Sequence, residues 1–110
     1  MSARQAEIKS FTWTLTTDNS NPITTDGYSM FGIITPATFE PTTVKFQIDN
    51  GANTWVDLYD KTGTLITLTL ATSRATDLPG ELANFPRFRM FQTAGGQPAA
   101  TRTFQVWMRN

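Results

Sequence analysis

Apolar and polar residues alternate along most of this chain, in short bursts separated by turn-forming residues. Val44, Phe46 and Ile48 alternate with Lys45 and Gln47, Val56 and Leu58 flank Asp57, and Ile66, Leu68 and Leu70 alternate with Thr67 and Thr69. A period of two is the signature of a strand with one buried face. Asp49-Asn50-Gly51-Ala52-Asn53 separates the first two runs and Asp60-Lys61-Thr62-Gly63 the second from the third, and both segments carry residues that tolerate turn backbone. The stretch 42–70 therefore predicts an antiparallel meander of three strands. Each strand is apolar on one side only, so the meander needs a second layer to cover it.

The flanking sequence supplies that layer. Residues 1–7 are small or polar without core periodicity and read as a flexible N-terminal arm, leaving 8–110 as one domain. Phe11, Trp13 and Leu15 then share one face of a strand that continues to Thr17 and ends in the turn cluster Asp18-Asn19-Ser20-Asn21-Pro22. Met30-Phe31-Gly32-Ile33-Ile34 is apolar on both faces, with Gly32 marking a bulge or a close backbone approach. Pro36 and Pro41 bracket a connection in which Phe39 is an anchor to the core. Between Pro79 and Phe85 one helical turn would point Leu82 and Phe85 inward.

Phe88 and Met90 lie on one side of a strand over 87–92 and Phe91 on the other, and the pattern leaves the buried side open. In the last strand, 101–109, Phe104, Val106 and Met108 share one face and Trp107 takes the other. Seven or eight short strands with turns every 8 to 12 residues or so predict an all-β, antiparallel β-sandwich. Long connections at 18–28 and 71–85 suit the sheet-to-sheet crossings of a jelly roll, and the two strongly alternating terminal strands suit pairing with each other.

Composition narrows the chemistry. The 110 residues include no cysteine and no histidine, which removes thiolate metal sites, disulfides, and the commonest general base and metal ligand. Charged residues make up 16% of the chain against about 25% in an average soluble protein, and 20 threonines take up much of the polar surface. Threonine suits a pleated sheet, and a neutral polar exterior suits protein contact better than nucleic acid. No acidic residue follows Glu81, whereas Arg87, Arg89, Arg102 and Arg109 all do; four scattered arginines on strand faces fall short of a nucleic-acid footprint. No apolar run approaches the ~20 residues of a membrane span, and no signal-like apolar core follows the N-terminus, so neither a membrane nor an export route is expected.

Asp57 and Asp60 are the closest carboxylate pair on a predicted element, which is the raw material of glycosidic acid–base chemistry. A strand's polar face and a turn are ordinary places for aspartate, and nothing in the pattern splits the two acidities. Asp49, Asn50 and Asn53 suggest a calcium loop, but the further acidic ligands are missing. The serines lack a histidine to activate them, and Gly95-Gly96 lacks the rest of a phosphate loop. Trp13 shares its face with Phe11 and Leu15 and belongs to the core; Trp55 and Trp107 fall opposite the aliphatic stripes, where they would serve a protein contact or a sugar platform.

Ile34-Thr35-Pro36-Ala37-Thr38-Phe39, the strand Val44–Ile48 with its Asp49-Asn50-Gly51 turn, Trp55-Val56-Asp57-Leu58-Tyr59-Asp60 with Gly63, the loop Ser73-Arg74-Ala75 and the strand Arg87-Phe88-Arg89 resemble a pattern in small virion proteins of tailed bacteriophages. The likeness runs from about residue 33 to 107. These are jelly-roll decoration or cement proteins on the outside of the capsid, and the pattern brings no catalytic residue with it. The resemblance implies a non-enzymatic structural protein without a cofactor, made in the host cytoplasm and carried on the virion surface. Its partners would be the major capsid protein and further copies of itself, as a dimer or trimer. Arg4 in the arm, Trp55, Arg102, Trp107 and Arg109 are the residues expected to make those contacts. The alternative is a carbohydrate-binding jelly-roll module of a phage tail or fibre.

Overall fold

The alternation in 102–109 becomes the central strand of one sheet, and the alternation in 43–49 becomes the central strand of another. In the computed structural model, which describes residues 6–52 and 54–110, the strands run β1 (Ala6–Trp13), β2 (Ile23–Thr24), β3 (Met30–Ile34), β4 (Thr43–Asp49), β5 (Trp55–Asp57), β6 (Thr67–Thr69), β7 (Ala75–Asp77), β8 (Arg87–Ala94) and β9 (Arg102–Arg109). One sheet has the order β1-β9-β3-β7; the other has β2-β8-β4-β5, with β6 also on β4. Every pairing is antiparallel. If β5 and β6 are taken as one interrupted strand, these are the two four-stranded sheets of a jelly roll, with successive strands crossing between layers.

The core lies between the inner faces. Phe104, Val106 and Met108 from β9 meet Phe88 and Met90 from β8, and Val44, Phe46 and Ile48 from β4, all buried. The open choice in β8 is thus settled: Phe88 and Met90 face in, and Phe91 lies on the outer face with the Lys45 ammonium 5.0 Å from its ring centre. Phe39 enters from the proline-bracketed connection, edge-on to both Trp13 (5.9 Å between ring centres) and Phe104 (6.1 Å). A 3-10 turn over Gly80–Asn84 buries Leu82, with Phe85 packed partly against the core.

Four sequence expectations change. β1 starts by Ala6, so Ala6 and Glu7 pair with Arg109 and Met108 instead of belonging to an arm. It also ends at Trp13: the Trp13 indole N–H donates to the Thr17 carbonyl (3.0 Å), Thr16 has φ +55°, and Leu15 is left exposed. The three-stranded meander is instead one hairpin followed by a split edge strand. β5 pairs with only Gln47–Asp49, and β6 takes the vacant half of β4, Thr43–Lys45. Between them the Asp60 carboxylate accepts from the Thr62 and Thr64 amides and the Thr62 hydroxyl, which closes the Asp60–Thr64 loop as an excursion from that edge. Lastly, β2 and β7 lie inside the two supposed connections. They are two and three residues long and take their register from β8 and β3, a signal that local periodicity does not contain.

The connections are tied down by polar side chains. Buried Ser20 accepts the Met90 amide on its hydroxyl (2.9 Å), and its own amide donates to the Met90 carbonyl (2.8 Å). Gly95, at φ +92°, lies against the backbone of Glu40 and Thr42: a Cβ there would sit 2.5 Å from the Thr42 nitrogen and closer still to the Glu40 carbonyl. Gly96 has the same φ with open space around it. Both Gly→Ala changes incur the left-handed backbone penalty, about 1 kcal/mol or more. Gly95→Ala must also push two backbone segments apart, so its urea midpoint is expected to fall well below that of Gly96→Ala; equal midpoints would remove the close approach as a cause.

Candidate protein-contact face

On β9 the even positions fill the core, so Thr103, Gln105, Trp107 and Arg109 are turned out from the sandwich. The pairing registers extend that outer layer across the sheet. Trp107 faces Ile8 of β1 on one side and Gly32 of β3 on the other, while Arg109 faces Ala6 and Met30. The row Ile8–Trp107, with Met30 beside it, leaves three large apolar side chains 45%, 44% and 43% exposed. Gly32 presents no side chain next to the indole. A hollow of about 420 Å³ lies there, bounded by Met30, Gly32, Asp77, Trp107 and Arg109. An exposed apolar row with a charged rim is the makeup of a protein contact.

The other sheet's outer face is built differently. Trp55 lies beside Asp49, and Arg87 and Arg89 of β8 lie over its ring, with guanidinium carbons 5.6 Å and 4.5 Å from the centre. Arg87 donates to Asp49 (2.9 Å), Arg89 to the Gln47 amide oxygen (2.8 Å), and Gln47 and Lys45 both donate to Asp57 (3.0 Å each). Burial pushes the Arg89 guanidinium below its ordinary value, and hydrogen bonds from Gln47 and Lys45 hold the Asp57 carboxyl below its own. This network saturates itself: the charges neutralise one another, and the arginines cover Trp55. The two outward tryptophans therefore lie on opposite faces of the sandwich and cannot form one platform.

Arg102 forms a two-pronged ion pair with Glu40, Nε to Oε1 at 3.0 Å and Nη2 to Oε2 at 2.6 Å, which clamps the Phe39–Pro41 connection to β9. Arg102 holds the Glu40 carboxyl at about 2, against an ordinary 4.5. Because the folded value is depressed, the pair's stabilisation is complete above pH 4.5 and is lost as pH falls towards 2. Urea midpoints of the parent and of Glu40→Gln are expected to differ at neutral pH and to converge over that acid window. Parallel curves would show that the clamp does not carry the effect.

Of the expected contact residues, Trp107 and Arg109 thus share the exposed face of the β1-β9-β3-β7 sheet, Trp55 is stacked on the opposite face, and Arg102 is engaged with Glu40 at the rim. Arg4 lies outside the described residues. Three of the four C-terminal arginines have side-chain partners instead of standing free in solvent. Ile8 and Met30 are contact residues that local patterning passes over: Ile8 precedes the strong alternation, and Met30 reads as core.

The carboxylates show no catalytic split. Asp57 and Asp60 are both held below their ordinary range by hydrogen bonds, whereas a glycosidic general acid must be raised. Asp49 accepts from Gly51 and Arg87, and no group of three or more acidic residues able to hold a metal occurs among the described residues.

The strand order and the two outer faces define a jelly roll with one apolar and one self-neutralised surface. Among solved structures, that of the SPBc2 prophage-derived protein YomS is similar over 100% of this chain and 99% of its own, with a TM-score of 0.58 and 13% sequence identity. At that identity the likeness is one of fold. No family model and no curated protein matches the sequence. Among the described residues, no helix is long and apolar enough to cross a membrane.

Proposed function

We propose that this chain is a structural virion protein of a tailed bacteriophage, without enzymatic activity, that decorates and stabilises the capsid by binding the major capsid protein and associating with its own copies. The observation that carries the reading is the exposed Ile8–Trp107 row with Met30 on the outer face of the β1-β9-β3-β7 sheet. A flat apolar strip on a rigid sheet, rimmed by Arg109 and Asp77, suits a broad protein surface. The sequence pattern over 33–107 and the fold shared with a prophage-derived protein support a phage origin. Repeated over a symmetric shell, modest contacts add through multivalency.

The deciding experiment adds the purified protein to particles that lack it. Saturable binding and a rise in the temperature of particle rupture are expected; no binding and no rise would defeat the reading. A glycan array run with the same protein tests the carbohydrate alternative, for which the hollow beside Trp107 is the site. Glycan binding lost in Trp107→Ala, with particle binding absent, would establish that alternative instead.

A further inference from the structure

β1 is eight residues long and lies at the edge of its sheet, and a long open edge is something native sandwiches usually blunt. The fold fixes which of its backbone groups are free. The Asn21 amide donates to the Thr12 carbonyl (3.1 Å), so Thr12 points away from β9. Along an antiparallel strand the N–H and C=O of one residue point to the same side and alternate with those of the next. Ser10, Ile8 and Ala6 therefore turn both groups to the open edge, while Glu7, Lys9, Phe11 and Trp13 bond to β9. Asn21 caps the edge at Thr12, where its side-chain amide also reaches the Thr12 hydroxyl (2.6 Å). Residues 6–10 remain open.

We propose that this edge takes a second copy of the same chain, antiparallel, about a two-fold axis through Ile8, joining two four-stranded sheets into one of eight. The side chains choose the occupant and the register. Groups that point to the edge must face each other, so the numbers of facing residues sum to an even value. A sum of 14 sets Glu7 against Glu7 and a sum of 18 sets Lys9 against Lys9, and like charges directly opposite each other are destabilising. A sum of 20 needs Thr12, which Asn21 occupies, and a sum of 12 keeps only Ala6 paired within the open stretch. A sum of 16 sets each Glu7 opposite the other copy's Lys9, Ile8 against Ile8, and Ala6 against Ser10. The neighbours facing these charges leave that complementarity intact: Tyr28 donates to Glu7 (2.8 Å) and Asp26 pairs with Lys9, both from the strand's inner side.

On the outer face the joint makes one continuous row, Trp107–Ile8–Ile8–Trp107, which doubles the apolar strip. The inference gives a form to the self-association within the proposed function, yet its test needs no capsid. Five facing residues per copy bury less than the ~1,200 Å² at the low end of stable interfaces, so the dimer is expected to depend on concentration in solution and to be favoured by crowding on a shell.

Sedimentation equilibrium of the full chain should show the mass rising from 12.2 kDa towards twice that value between about 10 μM and 1 mM. Ile8→Pro removes only an edge-facing N–H, leaves the β9 ladder intact, and should hold the mass at the monomer value throughout. The chain has no cysteine, so Ile8→Cys is a clean probe: facing hydrogen-bonded positions lie about 5.5 Å apart, within disulfide range. Ile8→Cys should cross-link readily, and Ser10→Cys should not, since two Ser10 residues would be about 13 Å apart. A monomer at every concentration, or equal cross-linking of the two cysteine variants, overturns the dimer. If Ile8→Pro does not fold, the cysteine pair decides. A monomer that still binds particles removes this interface alone; a dimer that binds none removes the virion reading alone.

Discussion

Trp107→Ala is expected to weaken binding to particles that lack the protein by about tenfold to thirtyfold while moving the unfolding midpoint very little. The indole is 44% exposed and points away from the core, so its removal leaves no buried cavity. Its neighbours across the strands are Ile8, itself exposed, and Gly32, which has no side chain. The stability cost is therefore the cross-strand contact with Ile8, a few tenths of a kcal/mol to about 1 kcal/mol. At a docked interface the same side chain is a large rigid anchor of the kind that costs about 2 kcal/mol when truncated. Trp55→Ala is the control: it breaks the stack with Arg87 and Arg89 and should lower stability more than binding. Titration onto particles alongside chemical denaturation reads both quantities. Equal losses of binding in the two variants would remove the preference for the β1-β9-β3-β7 face.

Trp13→Ala should cost about 3–5 kcal/mol, a large part of the 5–15 kcal/mol that holds a domain of this kind together. Trp13 is completely buried at the end of β1, edge-on to Phe39, which in turn packs edge-on to Phe104. Truncation empties the largest fully buried site and also leaves the Thr17 carbonyl without its indole donor. It loosens three elements together: the end of β1, the turn that follows, and the Pro36–Pro41 connection. A fall in Tm of roughly 10–25 °C is expected by calorimetry. Trp13→Phe keeps the ring contact with Phe39 and loses the indole donor, so it should fall between parent and alanine variant. A drop under about 5 °C for Trp13→Ala would mean that the aromatic chain Trp13–Phe39–Phe104 is not the organising contact of that end of the sandwich.

The sequence by itself determined the layers of this protein. Alternation in 43–49 and 102–109 specified which side of each central strand is buried, because a period of two leaves one choice of face once a core exists. The Asn50-Gly51 hairpin, the inward Phe39 and the pairing of first and last strands follow from turn chemistry, proline bracketing and strong terminal alternation. Only the tertiary structure decided where short strands go and what the outward residues meet. β2 and β7 are too short for any local period, and β6 takes its place because β5 leaves half of β4 unpaired. Trp55 and Trp107 look alike in the chain, yet Arg87 and Arg89 cover one while Gly32 leaves the other open, since cross-strand neighbours come from segments tens of residues away. Ile8 joined the contact face for the same reason: its register against Trp107 is a property of the sheet, and the residues adjacent to it in sequence do not encode it.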